Sequence, residues 1–82
     1  MLGREVKEKM FRKNMFRAKL AEAGITLKEA AAIIGVSETT LYRKENGQSD
    51  FTRNEIQLLK QALKLSPKDV EAIFFAKKLT QT

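Results

Sequence analysis

The sequence predicts an all-helical fold, and three observations carry that prediction. The chain has one proline and four glycines in 82 residues. It has no alternating run of β-branched residues of the kind a half-buried strand favours. Its apolar residues recur instead at three- and four-residue spacing, punctuated by capping residues and glycines.

The elements follow in order. From about Arg12 to Ala23, Phe16 and Leu20 stand four apart, with Met15, Ala18 and Ala23 nearby. Arg12, Lys13, Arg17 and Lys19 occupy the wet faces of this amphipathic helix. Gly24 ends it, suited to the left-handed conformation of a helix C′ position. Leu2, Val6 and Met10 are also four apart, so residues 1–13 read as a helix extension or as a basic N-terminal arm. Thr26 and Glu29 have capping-box spacing for a second helix that runs to about Ile34 and turns Leu27, Ala30, Ala31 and Ile34 inward. Gly35 ends that helix. Ser37 caps a third helix, which carries Leu41 inward to about Glu45 and closes on the turn dipeptide Asn46-Gly47. Thr52 and Glu55 repeat the capping box ahead of Ile56, Leu59 and Leu63, with Leu58 and Ala62 beside them. Ser66 caps a fifth helix and Pro67 opens it, where a missing N–H costs nothing. Asp69 favours the positive end of its dipole, and Val70, Ile73, Phe74 and Phe75 follow.

Composition narrows the function. There is neither histidine nor cysteine, which removes zinc fingers, iron–sulfur sites and disulfides. Acid–base, metal or nucleophilic catalysis would have to proceed without the commonest side chains for it, and no glycine-rich phosphate loop is present. An enzyme is not expected, nor a metal or cofactor. No apolar run approaches the ~18–20 residues of a membrane span, and the start lacks the apolar stretch of a signal peptide. A soluble, cytoplasmic protein without a membrane partner is the expectation.

The net charge of +6 points to an anionic partner, and nucleic acid is the commonest for a small chain. The charge is unevenly spread. Residues 1–20 hold seven Lys or Arg against two Glu, a net +5. Residues 21–50 hold three against five, a net −2, and residues 51–82 hold six against three, a net +3.

The segment Ala30–Gly47 carries the sharpest pattern. Helix formers are interrupted by Gly35-Val36-Ser37 and then resume, so two short helices must cross. The Ala31 methyl permits close packing at the crossing, and Gly35 supplies a turn that a residue with a Cβ adopts poorly. Val36 and Leu41 fill the space beneath. This is helix-turn-helix logic, two helices at roughly 90–120° with the second presenting its outer face.

The stretch GITLKEAAAIIGVSETTLYRKENG resembles the helix-turn-helix of the phage Cro and repressor family and its wider XRE-like bacterial relatives. The shared features are Gly24-Ile25-Thr26, Ala31, Gly35-Val36-Ser37, Leu41 and Glu45-Asn46-Gly47. The resemblance covers roughly residues 14–65, and Tyr42-Arg43-Lys44 with Asp50-Phe51 is similar to a short, single-domain phage branch. Two positions depart from the family. Leu27 stands where a glutamine often opens the second helix, and Lys44 where an apolar residue usually precedes Glu-Asn-Gly. The Lys44 stem can cover apolar surface while its ammonium reaches water or phosphate.

The resemblance implies a five-helix, lambda-repressor-like DNA-binding domain over residues 14–76, with its helix-turn-helix at about 26–46 and a C-terminal tail at 77–82. It implies a transcriptional regulator, a repressor or small accessory regulator, that inserts helix 38–45 into the major groove of double-stranded DNA. Family base-reading positions fall on Glu38, Thr39 and Arg43, with Tyr42 at the margin. Backbone groups at Leu27, Ser37 and Asn46 approach phosphates, joined by the side chains of Lys28, Lys44 and Arg53. A homodimer on a palindromic operator is the usual geometry. Ile73-Phe74-Phe75 is too apolar a run for one helix face to bury; the core accounts for one or two of them and a subunit interface for the rest, so all three are candidates for the dimer interface. A bacterial or phage-infected cell, with the protein on the nucleoid, is the implied setting, and no small-molecule ligand is expected. The alternative is a protein-interaction module, an antirepressor or antitoxin-type partner, favoured by the −2 balance of residues 21–50.

Overall fold

The computed structural model describes the backbone of residues 6–80 and the side chains of residues 11–75. Five helices form the body among these residues: α1 (Lys13–Ala23), α2 (Leu27–Ile34), α3 (Glu38–Glu45), α4 (Arg53–Leu63) and α5 (Pro67–Phe74). Two strands, β1 (Val6–Met10) and β2 (Ala76–Thr80), pair antiparallel at the two ends of the chain. The helical body is the lambda-repressor-like, all-α domain implied by the sequence.

Local chemistry sets the helix boundaries. Thr26, Thr52 and Ser66 each accept a hydrogen bond from the N–H three residues on, and the carboxylates of Glu29, Glu55 and Asp69 in turn accept one from the backbone N–H of the cap residue. Ser37 caps α3 by accepting from the Thr40 N–H. Gly35 takes φ of 76°, with the Gly35 and Val36 N–H groups donating back to the Ala32 and Ala31 carbonyls at 3.1 and 2.9 Å. That double return closes α2 and aims the chain into α3. Space around Gly35 is open, so the left-handed backbone rather than crowding calls for glycine.

The core joins all five helices. Phe16 and Leu20 come from α1; Ala30, Ala31 and Ile34 from α2; Leu41 from α3; Leu59 and Leu63 from α4; and Ile73 and Phe74 from α5, with Leu65 in the preceding turn. Phe16, Leu41, Leu59 and Ile73 are its largest fully buried side chains. Full burial of side chains of this kind contributes about 1.5–3 kcal/mol each. Phe11, Phe16, Phe51 and Phe74 form an aromatic cluster in which every pair of ring centroids lies 4.9–6.3 Å apart. This cluster seats the start of α1 against α5 and against the loop after α3.

Three expectations are corrected. Residues 6–10 form a strand rather than a helix extension or free arm, because each residue has a ladder partner in β2. A four-residue apolar spacing is a weak local preference, and pairing with the other terminus overrides it. Residues 76–80 are likewise a strand rather than a tail, while residues 1–5 and 81–82 lie outside the described residues. Ile73 and Phe74 are consumed by the chain's own core, at 0% and 6% exposure, so the expected interface loses two of its three residues; Phe75 is half-buried.

Candidate nucleic-acid interface

The candidate site is the outer face of α3. Glu38, Thr39, Tyr42 and Arg43 are all exposed, and their three- and four-residue spacings set them along one side of two helical turns. Arg43 makes no ion pair and no side-chain hydrogen bond among the described residues. A free guanidinium fork can grip guanine O6 and N7, a carboxylate can accept from cytosine N4, and a threonine can meet a thymine methyl.

The inner face is built from charge as well as from Leu41. Glu45 is buried and receives two hydrogen bonds from Arg17 of α1, Nε to Oε2 at 3.2 Å and Nη2 to Oε1 at 2.9 Å. This bidentate contact holds the Arg17 guanidinium above its ordinary pKa. Lys44 is buried in the other direction. Its ammonium donates to the Asp50 carbonyl at 2.8 Å, pairs with Glu55 of α4 at 3.0 Å and lies 5.8 Å from the Phe51 ring centre. Burial pushes the Glu55 carboxyl upward, but the N–H of Thr52, the Lys44 hydrogen bond and charge, and the Thr52 hydroxyl outweigh it. The net shift is downward, so Glu55 is a carboxylate at neutral pH. The C-terminal half of α3 is thus tied to α1 on one side and to α4 on the other.

α1 contributes one more contact. Lys13 donates to the Asn46 side-chain oxygen at 3.1 Å, and its ammonium lies 5.5 Å from the Tyr42 ring centre. From the sequence, Lys13 and Arg17 are expected only on a solvated helix face. Their spacing of four was the available signal, since it sets both on one stripe of α1.

The remaining sequence-predicted residues divide by position. Lys28 and Arg53 are exposed in the first turns of α2 and α4. Leu27 opens α2 with a half-buried side chain against the core. The Ser37 hydroxyl caps α3, accepting from the Thr40 N–H and bonding the Thr40 hydroxyl at 3.0 Å. The Asn46 N–H is donated within the α3 terminus, to Tyr42 O at 3.1 Å. Lys44 is the clear correction. With 7% exposure and a carboxylate and a carbonyl on its ammonium, it is a structural cation rather than a phosphate contact.

The acidic balance of residues 21–50 is also largely internal. Glu29 caps α2, Glu45 binds Arg17, and Glu22 lies 3.5 Å from Lys19. Glu38 is left as an exposed acid on the outer face of α3. No group of three or more potential metal ligands occurs among the described residues, and none of their helices is long and apolar enough to cross a membrane.

Comparison with known proteins agrees with this geometry. A family model described as helix-turn-helix matches residues 16–70, from Phe16 in α1 to Val70 in α5. The curated proteins contain no match to the chain.

Proposed function

The chain belongs to the XRE-type helix-turn-helix family and is a DNA-binding transcription regulator; from that premise, we propose that it acts as a repressor by inserting α3 into the major groove of its operator. The observation that carries this reading is the contrast within α3: an open row of Glu38, Thr39, Tyr42 and Arg43 on a helix whose other side is fixed at both Lys44 and Glu45. A probe held this way loses little conformational freedom when it meets base edges. Arg43 is the principal base reader, Glu38 and Thr39 read at the helix start, and Tyr42 works at the margin with Lys13 beside it. Lys28, Arg53 and the first-turn N–H groups of α2 and α3 fix the register on phosphates. The site belongs inside the cell, where the DNA is.

A homodimer on a palindromic operator completes the proposal. An eight-residue helix is only about 12 Å long, so one copy reads few base pairs. A second copy on a half-site ~34 Å away doubles that readout. Selection of bound duplexes from a random pool tests the symmetry, since a lone asymmetric site would refute the dimer.

Arg43→Ala is the direct test of the reader. It is expected to lose about 1–3 kcal/mol on the selected site and to relax preference at one base pair. Stability should stay within about 0.5 kcal/mol, as for surface substitutions that touch no special feature. An equal loss on selected and random duplexes would make Arg43 a phosphate contact instead.

A further inference from the structure

Tyr42 stands in the open row of α3 at 52% exposure. Among the described residues its ring packs on no other ring and its hydroxyl makes no hydrogen bond. A tyrosine in a helix has more than one χ1 well open to it, so a ring this exposed swings unless something holds its face. Lys13 supplies that hold from α1, with its ammonium 5.5 Å from the ring centre. The ammonium is itself held, donating to Asn46 Oδ1 at 3.1 Å. An ammonium has donors only, so it meets the oxygen of the Asn46 amide and turns the NH2 group away from itself.

The position of Lys13 is unfavourable for α1 alone. It opens that helix, whose first turn holds no acidic residue and whose start has no side-chain cap. A cation at the positive end of its own helix is repelled by the dipole. The same ammonium is attracted to the C-terminal end of α3, where Asn46 follows the last helical residue. Other cations at this end are neutralised within the protein, since Arg17 binds Glu45 and Lys44 pairs with Glu55. Lys13 has no carboxylate at ion-pair distance among the described residues, so its charge acts undiminished on the Tyr42 ring. It also lies before residues 16–70, the segment that the family model matches.

We propose that Lys13, outside the helix-turn-helix, is a positioning residue for DNA recognition. Anchored on Asn46, it holds the Tyr42 ring in the rotamer that meets the operator, and so sharpens base preference at the C-terminal end of α3. This inference rests on the operator-binding reading above and adds to it a residue that acts through Tyr42. Immobilising a side chain on binding costs affinity, and a ring already held does not incur that cost. The cost falls on the selected duplex alone, because a scrambled one offers the ring no matching base on which to settle. Losing the hold therefore lowers the ratio of selected to scrambled binding, by roughly two- to tenfold.

Tyr42 is the single tyrosine of the chain, so its ring and Cβ signals are read without overlap from another. NMR couplings at its Cβ should show one χ1 rotamer in the free, unaltered chain and averaging between rotamers in Lys13→Met, which keeps the apolar stem. Lys13→Arg keeps the cation and its donors and should restore the single rotamer. The same chains are then titrated onto the selected duplex and a scrambled one of equal length. Lys13→Met should lower the ratio of selected to scrambled binding by roughly two- to tenfold, and Lys13→Arg should keep it. In a Tyr42→Ala background, Lys13→Met should lower the ratio no further. Equal losses on both duplexes, with a salt slope lower by ~0.9, would make Lys13 a phosphate contact and overturn the inference. An unchanged Tyr42 rotamer overturns it too, as does a loss that persists in the Tyr42→Ala background. Each of these outcomes leaves the operator-binding reading in place. Failure of the unaltered chain to prefer any duplex overturns that reading and this inference with it.

Discussion

Arg43 and Lys44 are adjacent cations in one helix, and the fold uses them in opposite ways. Arg43 stands in the open row with Glu38, Thr39 and Tyr42 and has no charged partner among the described residues. Lys44 lies in the inner stripe with Leu41 and Glu45, its charge cancelled by Glu55 at 3.0 Å. A cation neutralised at contact distance adds little to the field that draws in a phosphate. One that is unpaired keeps its full attraction. The formal charge of α3 therefore says less about DNA than the side each residue faces. The inner ion pairs determine where the helix sits, and the outer face determines what it meets.

Breaking the inner side should give the largest effect. Lys44→Met removes a buried cation and leaves the Glu55 carboxylate without its counter-charge. Such a loss costs about 3–5 kcal/mol when the remaining charge is fully buried. Glu55 keeps its Thr52 hydrogen bonds and slight solvent contact, so about 2–3 kcal/mol is expected at neutral pH, measured by urea unfolding. Lys44→Met/Glu55→Gln should recover more than half of that loss, because the amide oxygen still caps α4 and no bare charge remains. Additive losses in this cycle would mean that Lys44 acts by packing on Phe51 rather than by pairing.

The same pair makes stability depend on acid, with a definite sign. Glu55 titrates below its ordinary value in the folded chain, so the folded state holds fewer protons there than the unfolded state. The stabilisation is complete above the unfolded carboxylate pKa of about 4.3 and is lost as pH falls through the folded value. Lys44→Met removes two of the causes that lower Glu55, so the Glu55 contribution to the acid slope should shrink. A slope equal to that of the unaltered chain would place the acid sensitivity elsewhere, for instance in Asp69. That carboxyl is also held low, first by the Ser66 N–H, with burial opposing and the Ser66 hydroxyl and Lys19 assisting.

The inner and outer faces of α3 were not equally legible in the sequence. The capping boxes at Thr26–Glu29 and Thr52–Glu55, the Ser66-Pro67 start and the Gly24 and Gly35 stops are local chemistry, and each formed at the residues that encode it. The open row of Glu38, Thr39, Tyr42 and Arg43 was legible for the same reason, since Leu41 fixed which side of α3 faced inward. The phosphate contact expected at Lys44 fails because the residue stands three positions after Leu41, on the stripe that Leu41 defines. Position on the helix outranks polarity there. The partners themselves were out of reach, because Arg17 and Glu45 are 28 residues apart and only the packing of α1 on α3 joins them. The pairing of β1 with β2 was hidden for that reason in stronger form, as the two strands come from opposite ends of the chain.

The smallest expected effect sharpens the comparison at the helix ends. α3 and α4 finish in the same way, with a left-handed residue and two N–H groups returning to the last turn, but α3 uses Gly47 and α4 uses Lys64 at φ of 53°. A side chain there crowds the carbonyl, at a cost of roughly 1–2 kcal/mol in the left-handed helical region. Glycine would relieve that strain, but its freer unfolded chain returns about 0.4–1 kcal/mol of the gain. Lys64→Gly is therefore expected to stabilise the domain by about 0.5 kcal/mol, read as a small rise in the urea midpoint at constant m value. Lys64→Ala is the control, because it removes the same charge and stem while keeping the Cβ that causes the strain. If both variants gain equally, relief of the lysine's charge or of its stem explains the effect. If only Lys64→Gly gains, backbone conformation does, and α4 carries a strain at its end from which Gly47 frees α3.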